Sequence, residues 1–509
     1  MSTIRRQSII SSGIVYFGFA LGFLNTYLFA REKGGFTPAQ YGLTGLFIAI
    51  GNIMYSFASL GMQPIIGKFY PYYKDHLPAK KNDLMTWALL ISVLGSIGTI
   101  VLGVFCKSLV IRKFGAHSPD VVTYYYWIFP FGVGLTLYFV LEAYTWQLKK
   151  AVLTNYLREV QFRLFTTVLI LLSFAGLLTR FDIFIRIYSF TYLLTVAILF
   201  TYLRVTHQLY FSFSISRVTK RLYSKILSMA ILVWSGGLTV TISLFFSVIV
   251  IAAVVPQGLD FAGIYTLGQS LASLIQAPQR GIISSAMGHL SQAWKDKDYK
   301  KIDRIYHRSS INQLIFSTAM FLLIWINFRD AVLTFHLKPT YLQAQNVFLF
   351  IGLMRIIDMG TGLNSQILGT SNFWRFDFVT GLILFVLTLP LNYVLTKSIG
   401  VTGPAIGDLT SYTVYNGIRY IYLYRKFGMQ PFTIKSLYTL LLGAATYLIC
   451  HILFHSFRGF GWIVLRSLVF ITLFAFGTIR LNLSEDVLPV LATVKKRLGL
   501  AGKLLTEHP

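Results

Sequence analysis

The chain has 509 residues, of which 55% are hydrophobic and only 12% are charged, whereas soluble domains carry about 25% charged residues. This composition predicts a membrane protein and excludes an ordinary soluble enzyme or binding domain. The formal net charge of +27 does not indicate nucleic-acid binding, because the basic residues are spread over short loops between apolar runs and form no single patch.

The first predicted element is the apolar run 8–30, which follows the basic segment 1–7. The order of charge and apolar residues is that of a signal peptide. The apolar part, however, is about twice the usual length and no clear cleavage site follows it. We therefore expect an uncleaved first transmembrane helix with its N-terminus inside the cell.

At about 20 apolar residues per span, the sequence predicts an all-α polytopic membrane protein with about fourteen transmembrane helices. The fifth predicted span is short and the seventh is long, so their bounds are the least well defined. The predicted spans are 8–30, 41–66, 85–106, 122–145, 164–179, 183–203, 226–254, 263–288, 310–328, 344–368, 376–396, 402–424, 436–455 and 461–480.

The basic residues follow this division. With residue 1 inside, the internal segments hold 29 Lys and Arg residues and the external segments hold ten. This asymmetry predicts that both termini are cytoplasmic. The predicted external loops are short, so we expect the function to reside among the helices.

A weak internal repeat relates the second and eighth predicted helices. At an offset of 221 residues, Gly42 aligns with Gly263 and Gly67 with Gly288. The alternative is chance similarity between two glycine-rich spans. The repeat predicts two six-helix lobes in parallel orientation, with the substrate site between them and two helices appended. The expected divisions are an N-terminal lobe 1–203, a basic cytoplasmic linker 204–225, a C-terminal lobe 226–424, two additional helices within 425–480 and a cytoplasmic tail 481–509.

The eighth predicted helix, 263–288, is too polar to face lipid. It contains Gln269, Gln276, Pro278 and Arg280 among Gly, Ala and Ser residues. Polar groups in hydrocarbon must be satisfied without water, so this pattern favours a helix that lines a hydrated cavity. For Arg280, near the predicted cytoplasmic end, the alternative is extension of the side chain to the membrane surface.

Other predicted spans also carry polar residues that could line a substrate cavity. Arg355 and Asp358 lie at i and i+3 near the middle of the tenth helix, where they either contact substrate or neutralise each other. Asn364 follows in the same helix. Asn25 and Asn52 lie in the first two helices.

The remaining intramembrane charges allow less specific predictions. Asp408 in the twelfth helix is a candidate for ion coupling, and a packing role fits its position equally well. Glu142 lies near the internal end of the fourth helix, where Lys149 or Lys150 is the expected partner. Arg419 lies close to the internal face, which favours extension of its side chain to the surface.

Motifs for catalysis or metal binding are missing from the sequence. It contains no HExxH, GxxxxGK[ST] or paired-histidine spacing. Cys106 and Cys450 have neither a disulfide-framework nor a metal-type spacing. We therefore expect no catalytic residue, no metal and no cofactor, and an energy source other than ATP hydrolysis by this chain.

Several segments resemble bacterial polysaccharide flippases, in the same order along the chain. They are the opening SIIxxxIxYxGxxLG pattern from residue 8, 37–43 (TPAQYGL), 61–71 (GMQPIIGKFYP), 368–372 (LGTSN), 390–393 (PLNY) and 400–407 (GVTGPAIG).

This resemblance covers about residues 1–430. It implies the fold of the multidrug/oligosaccharidyl-lipid/polysaccharide exporters, with two six-helix lobes around a central cavity. It also implies translocation of undecaprenyl-diphosphate-linked oligosaccharides, precursors of O-antigen, capsule or exopolysaccharide, across the bacterial inner membrane by alternating access. The family has no invariant catalytic motif, so the resemblance assigns no site residue.

The leading hypothesis is therefore a flippase of lipid-linked oligosaccharide. Its expected partners are this substrate, anionic membrane lipids and polysaccharide assembly proteins, and no nucleic acid. One alternative is a multidrug or metabolite exporter of the same superfamily, although cationic drugs would require more buried acids. Another is a membrane glycosyltransferase, polymerase or ligase acting on lipid-linked sugars, which would need a large external loop. A non-transporting scaffold of the same fold is a further alternative.

Overall fold

The structure is a computed structural model that describes residues 3–33 and 35–486, except for the side chains of 3–12, 232, 280, 284, 285 and 374. Within these ranges every named element is a helix. One isolated β-bridge joins Arg31 to Leu337. The predicted all-α class is confirmed.

The chain up to residue 205 contains eleven α-helices. They are α1 (Thr3–Ala30), α2 (Pro38–Ala58), α3 (Met62–His76), α4 (Leu84–Phe105), α5 (Lys107–Phe114), α6 (Pro119–Thr123), α7 (Ile128–Gln147), α8 (Ala151–Asn155), α9 (Phe162–Phe174), α10 (Phe181–Ser189) and α11 (Thr191–Val205). A π-helical stretch, Tyr156–Gln161, joins α8 to α9, so helical backbone is continuous over 151–174.

Ten further α-helices follow. They are α12 (Arg217–Val254), α13 (Gly258–Ser273), α14 (Gln279–Lys295), α15 (Tyr299–Thr334), α16 (Ala344–Gly360), α17 (Asn364–Thr370), α18 (Trp374–Ile399), α19 (Gly403–Phe427), α20 (Ile434–Phe454) and α21 (Phe460–Arg480). Short 3₁₀ helices lie between some of these elements, at Ala79–Lys81, Tyr125–Trp127, Leu274–Gln276, Pro339–Gln343 and Gly400–Thr402.

Ten helices in the described part of the chain are long and apolar enough to cross a membrane. An eleventh is added if the pair Pro339–Gly360 and Asn364–Thr370, bent by 48°, is one span. The predicted number is higher because it includes the short fifth span and the polar, divided eighth span, and because α18 and α19 count here as one stretch, Arg375–Phe427. The chain is a multi-pass membrane protein, and the number fourteen stays a prediction.

Several predicted spans are broken by turns that apolar periodicity does not reveal. The second is divided into α2 and α3 at Gly61, whose φ of 74° is left-handed and suits a residue without a Cβ. The tenth is divided into α16 and α17 around Gly362, with a φ of 64°. The eighth is divided into α13 and α14 by the 3₁₀ turn Leu274–Gln276, which precedes Pro278.

The chain forms two compact units, which differ from the predicted lobes in their bounds. Unit 1 comprises Met1–Ser270, His336–Ala344 and Gly381–Gly407. Unit 2 comprises Leu271–Phe335, Gln345–Thr380 and Asp408–Pro509. The core of unit 1 includes apolar residues of α3, α4, α7 and α11, and a core of unit 2 joins α14, α15 and α17. The division into lobes, linker and tail stays a prediction.

In unit 1, the beginnings of α2 and α13 touch through two glycines. A Cβ at Gly42 would overlap the carbonyl oxygen of Leu259, and a Cβ at Gly263 would overlap that of Pro38. In the predicted repeat, Leu259 is the counterpart of Pro38, and Gly263 is the counterpart of Gly42. The two contacts are therefore reciprocal, as expected for two copies of one motif related by an approximate two-fold axis. This reciprocity supports the repeat.

We expect Gly42→Ala to destabilise the protein by about 1–3 kcal/mol, because the added methyl group meets backbone that cannot rotate away. The sign is informative, since alanine normally stabilises a helix interior relative to glycine by about 0.5–1 kcal/mol. Gly67→Ala is the matched control, because nothing lies within 4 Å of a Cβ at that position of α3. Thermal unfolding of both variants in one detergent measures the difference. A stabilised Gly42→Ala protein would contradict the close packing.

In unit 2, the last described residues fold back onto α15. Arg308 forms an ion pair with Asp486, and the Asp486 carboxylate accepts a further hydrogen bond from Asn312 at 2.7 Å. The Ser484 hydroxyl donates to the side-chain oxygen of Asn312 at 2.5 Å. These bonds join the turn after α21 to the first half of α15.

The Arg308–Asp486 pair predicts a dependence of stability on pH. The Arg308 guanidinium holds the pKa of Asp486 below its usual range. A carboxylate of this kind stabilises the fold above its unfolded pKa of about 3.9, and the stabilisation is lost as the pH falls through the lower folded value. The side chains are 49% and 31% exposed, so we expect at most about 1 kcal/mol.

Thermal unfolding of the wild type and Asp486→Asn checks this expectation. The variant should be less stable near about pH 7, and the two proteins should converge as the pH falls below the folded pKa of Asp486. A difference that persists unchanged in acid would mean that the ionised carboxylate is not its source.

Candidate functional site

Unit 1 contains a group of charged side chains inside its helical bundle, which we call the N-terminal charged cluster: Glu142, Arg158, Glu159 and Arg163. α7 provides Glu142, and the continuous helix 151–174 provides the other three. Arg163 lies 3.1 Å from Glu159, and Arg158 lies 3.8 Å from Glu159 and 3.7 Å from Glu142. Two acids thus face two arginines, and the formal charges of the cluster cancel.

Glu142 is the most buried member of this cluster. Its side chain is inaccessible to solvent, and neither carboxylate oxygen accepts a hydrogen bond from the described residues. Arg158 provides the ion pair, whereas Lys150, one of the expected partners, donates instead to the Tyr202 hydroxyl at 2.9 Å. A buried carboxylate with this little support depends on its arginine.

Asn25, a predicted cavity residue, joins α1 to this region. Its amide donates to the carbonyl oxygen of Arg163 at 2.8 Å and accepts from the Thr167 hydroxyl at 2.6 Å. The two helices approach closely at Gly18 of α1, because this residue has no Cβ. A Cβ at that position would overlap the backbone of Glu159. The polar role expected for Asn25 is therefore fulfilled within the bundle, and contact with substrate stays a prediction.

Asn52, the second predicted asparagine of this half, has a more local environment. It is partly buried, and its amide donates to the carbonyl oxygen of Ile48 in the same helix at 2.7 Å. It makes no side-chain bond to the N-terminal charged cluster among the described residues. Its predicted role is untested.

Sequence reasoning missed Arg158, Glu159 and Arg163 because it assigned 146–163 to an internal loop. A prediction from hydropathy places the limit of a span where charged residues occur. The helical backbone, however, continues through these residues and places their charges between neighbouring helices. One signal was present: Glu159 and Arg163 have the i, i+4 spacing of a helical ion pair, directly before an apolar run. The π-helical turn at this position is a feature that is frequent at functional sites.

Unit 2 contains a second group, which we call the C-terminal polar cluster: Asp358, Thr361, Asn364 and Asn416. The Asn416 amide nitrogen donates to Asp358 at 3.2 Å, and its oxygen accepts from Asn364 at 2.8 Å and from Thr361 at 3.1 Å. Asn416 of α19 thereby spans the break between α16 and α17. The predicted residues Asp358 and Asn364 are brought together by a residue that the sequence analysis missed.

Arg355, one turn before Asp358 on α16, does not form the ion pair that their spacing allowed. Within the described residues its guanidinium makes no ion pair and no hydrogen bond, and its Nε atom is buried. Tyr412 of α19 lies close enough to Arg355 to interact with it electrostatically. An uncommitted guanidinium in the middle of a span is costly, and it is equipped to bind an anion by parallel hydrogen bonds.

Arg419 follows Asn416 on the same side of α19. Only 2% of its side chain is exposed, so it does not extend to the surface as expected. It forms an ion pair with Asp377 of α18, donates to the Thr380 hydroxyl at 3.0 Å, and lies 3.8 Å from the centre of the Tyr415 ring. Its charge is fully engaged, in contrast to that of Arg355.

One face of α19 carries these groups. Asp408, Tyr412, Asn416 and Arg419 follow one another at intervals of three or four residues, which aligns them along one side of a helix. Asp408 is 8% exposed, and its predicted role in ion coupling is untested. This spacing was the signal that could have identified Asn416.

The polar helix of the repeat is divided in the structure. Gln269 lies in α13 and Gln276 in the following 3₁₀ turn, both partly buried and without side-chain hydrogen bonds in the described part of the chain. Arg280 lies in the first turn of α14, and its side chain is outside the described residues. The cavity role predicted for these three residues is untested.

Comparison with known proteins shows what the fold resembles. No protein-family model matches the sequence, and no curated protein matches it. Among solved structures, the chain is similar to lipid II flippase MurJ in an inward closed conformation, with a TM-score of 0.71 and 15% identity, over 93% of this chain and 99% of that one.

Two further solved structures are transporters. One is an inward-facing multidrug resistance MATE family transporter of the MOP superfamily, with a TM-score of 0.63 and 15% identity over 81% of this chain and 94% of that one. The other is a MOP superfamily transporter from Pyrococcus furiosus, with a TM-score of 0.54 and 14% identity over 84% and 96%. At these identities the likeness establishes a MurJ/MATE-like fold, and function must be argued from the site.

Proposed function

We propose that the chain is a flippase that moves an undecaprenyl-diphosphate-linked oligosaccharide between the leaflets of the bacterial inner membrane by alternating access. The observation that carries the proposal is Arg355. A mid-span arginine without a described partner provides a permanent positive charge and two parallel donors, which are the groups that a diphosphate requires.

The rest of the C-terminal polar cluster fits the same substrate. Asp358 and Asn364 offer a carboxylate and an amide that are both hydrogen-bonded to the Asn416 amide, and such groups exchange hydrogen bonds with sugar hydroxyls. One of the structures with a similar fold is itself a flippase, of lipid II. The substrate needs a polar route for its headgroup only, since its lipid tail can stay in the bilayer.

An exporter of cationic drugs is less well supported by these charges. A cationic substrate requires an acid that no residue neutralises. Glu142 lies beside Arg158 and Asp377 pairs with Arg419, so neither acid offers a free negative charge, whereas Asp358 keeps its charge beside the neutral amide of Asn416. In unit 2 the Arg355 guanidinium makes neither an ion pair nor a hydrogen bond with any described residue, and this positive charge favours an anionic headgroup.

Reconstitution tests the proposal. The full chain is inserted into vesicles that contain a fluorescent undecaprenyl-diphosphate-linked oligosaccharide, and the probe exposed in each leaflet is measured with time. We expect protein-dependent transfer of this probe and none of a cationic dye. Transfer of the dye but not of the lipid-linked sugar would replace the proposal with the drug exporter.

A further inference from the structure

A cavity of about 490 Å³ lies in unit 2, at the helix ends that the charge distribution predicts to be cytoplasmic. Arg304, His307 and Arg308 line it from the beginning of α15, and Thr433 and Lys435 line it from the beginning of α20. The residues that line this cavity include neither Arg355 nor any member of the C-terminal polar cluster.

Two of the cations in its wall have no acidic partner. Arg304 is exposed and makes neither an ion pair nor a hydrogen bond with any described residue. The Lys435 ammonium donates at 2.7 Å to the carbonyl oxygen of Asn482, which is neutral. One acid, Glu485, also lines the wall and offsets part of this charge.

The other charged groups are engaged with each other. Arg308 is paired with Asp486, and His307 lies 3.4 Å from Asp303. The Arg308–Asp486 pair adds no net charge to the wall. The anion-binding capacity of the cavity therefore resides in Arg304 and Lys435.

An apolar face of α20 begins at this cavity. Five of its large exposed side chains lie along one side of the helix at helical spacing: Ile434, Leu437, Leu441, Leu448 and Ile452. Such a face contacts acyl chains in a bilayer. A soluble anion would use the cations but not this face.

We propose that the cavity binds the phosphate-bearing headgroup of an anionic phospholipid, whose acyl chains lie along α20. The phosphate would accept hydrogen bonds from the Arg304 guanidinium and the Lys435 ammonium. Inorganic phosphate and a phospholipid headgroup share the phosphate group. The apolar face of α20 assigns the phosphate to a lipid.

Binding of fluorescent phosphatidylglycerol to the full chain in detergent tests this proposal. In the double variant Arg304→Gln/Lys435→Gln we expect the affinity to fall roughly 30-fold, since each basic residue contributes about fivefold. The control Lys80→Gln/Lys81→Gln removes two exposed basic residues of unit 1 and should leave the affinity unchanged. The charge-conserving Arg304→Lys/Lys435→Arg should retain most of it.

Unlabelled competitors separate the sources of phosphate. Phosphatidylglycerol should displace the probe, whereas inorganic phosphate and phosphatidylcholine should not. Displacement by inorganic phosphate would overturn the assignment to a lipid, and equal displacement by phosphatidylcholine would overturn the role of the cations. Unchanged affinity in the double variant would overturn the site. If the double variant unfolds at a lower temperature than the wild type, Arg304→Gln alone is measured, and its unchanged affinity would overturn the site.

Discussion

We expect Arg355→Gln to lower the initial rate of lipid-linked oligosaccharide translocation by roughly ten- to a hundredfold. Bonds between a charged donor and its acceptor contribute about 1.5–3 kcal/mol each, and glutamine cannot replace the charge. Arg355 makes no ion pair or hydrogen bond among the described residues. Its replacement should therefore leave the thermal unfolding temperature nearly unchanged or raise it. The rates are measured in vesicles with matched amounts of inserted protein.

Two further variants serve as comparisons for Arg355→Gln. Arg355→Lys keeps the charge but not the planar pair of donors, so its rate should lie between those of glutamine and the wild type. Arg425→Gln removes an exposed arginine near the end of α19 and should transport normally. If Arg355→Gln also transports normally, Arg355 does not contact the substrate.

The second large effect is expected on stability. Asp377→Leu should destabilise the protein by about 3–5 kcal/mol, because it leaves the guanidinium of Arg419 buried without its ion-pair partner. Arg419→Leu should cost less, because the Asp377 carboxylate that it leaves is 29% exposed and keeps contact with water. Thermal or denaturant-induced unfolding in one detergent provides the comparison.

The double variant Asp377→Leu/Arg419→Leu separates pairing from packing. If the ion pair is the cause, removal of both charges should recover most of the stability lost by Asp377→Leu, because no unpaired charge remains. If the two losses simply add, the residues stabilise the fold independently and Asp377 does not neutralise Arg419. Tyr415, whose ring lies over Arg419, is unchanged in all three proteins.

The extent of correct prediction differs between spans for a physical reason. Strongly apolar runs such as α20 and α21 were placed within a few residues, because a long stretch without charge has one favourable environment. The helix 151–174 was placed too far along the chain, because its first half carries Arg158, Glu159 and Arg163. Those charges are satisfied by each other and by Glu142 of α7, which hydropathy along one segment cannot register.

The predicted site residues show the same distinction. Arg355, Asp358 and Asn364 were selected because polar groups in hydrocarbon need partners. The sequence could not identify Asn416 as the partner of Asp358, because 58 residues separate them. It also left open whether Arg355 pairs with Asp358. The backbone places them one turn apart, but the orientation of Asp358 toward α19 decides against the pair.

By itself the sequence determined that this protein is all-α and multi-pass and that charged residues lie inside its spans, and it predicted that Gly42 and Gly263 are equivalent positions. Each follows from local composition, spacing or self-similarity. Only the tertiary structure decided that Arg419 is engaged with Asp377 and that Arg355 has no ion pair or hydrogen bond within the described part of the chain. The periodicity of a helix determines which side chains share a face, whereas the packing of helices distant in sequence determines what that face meets.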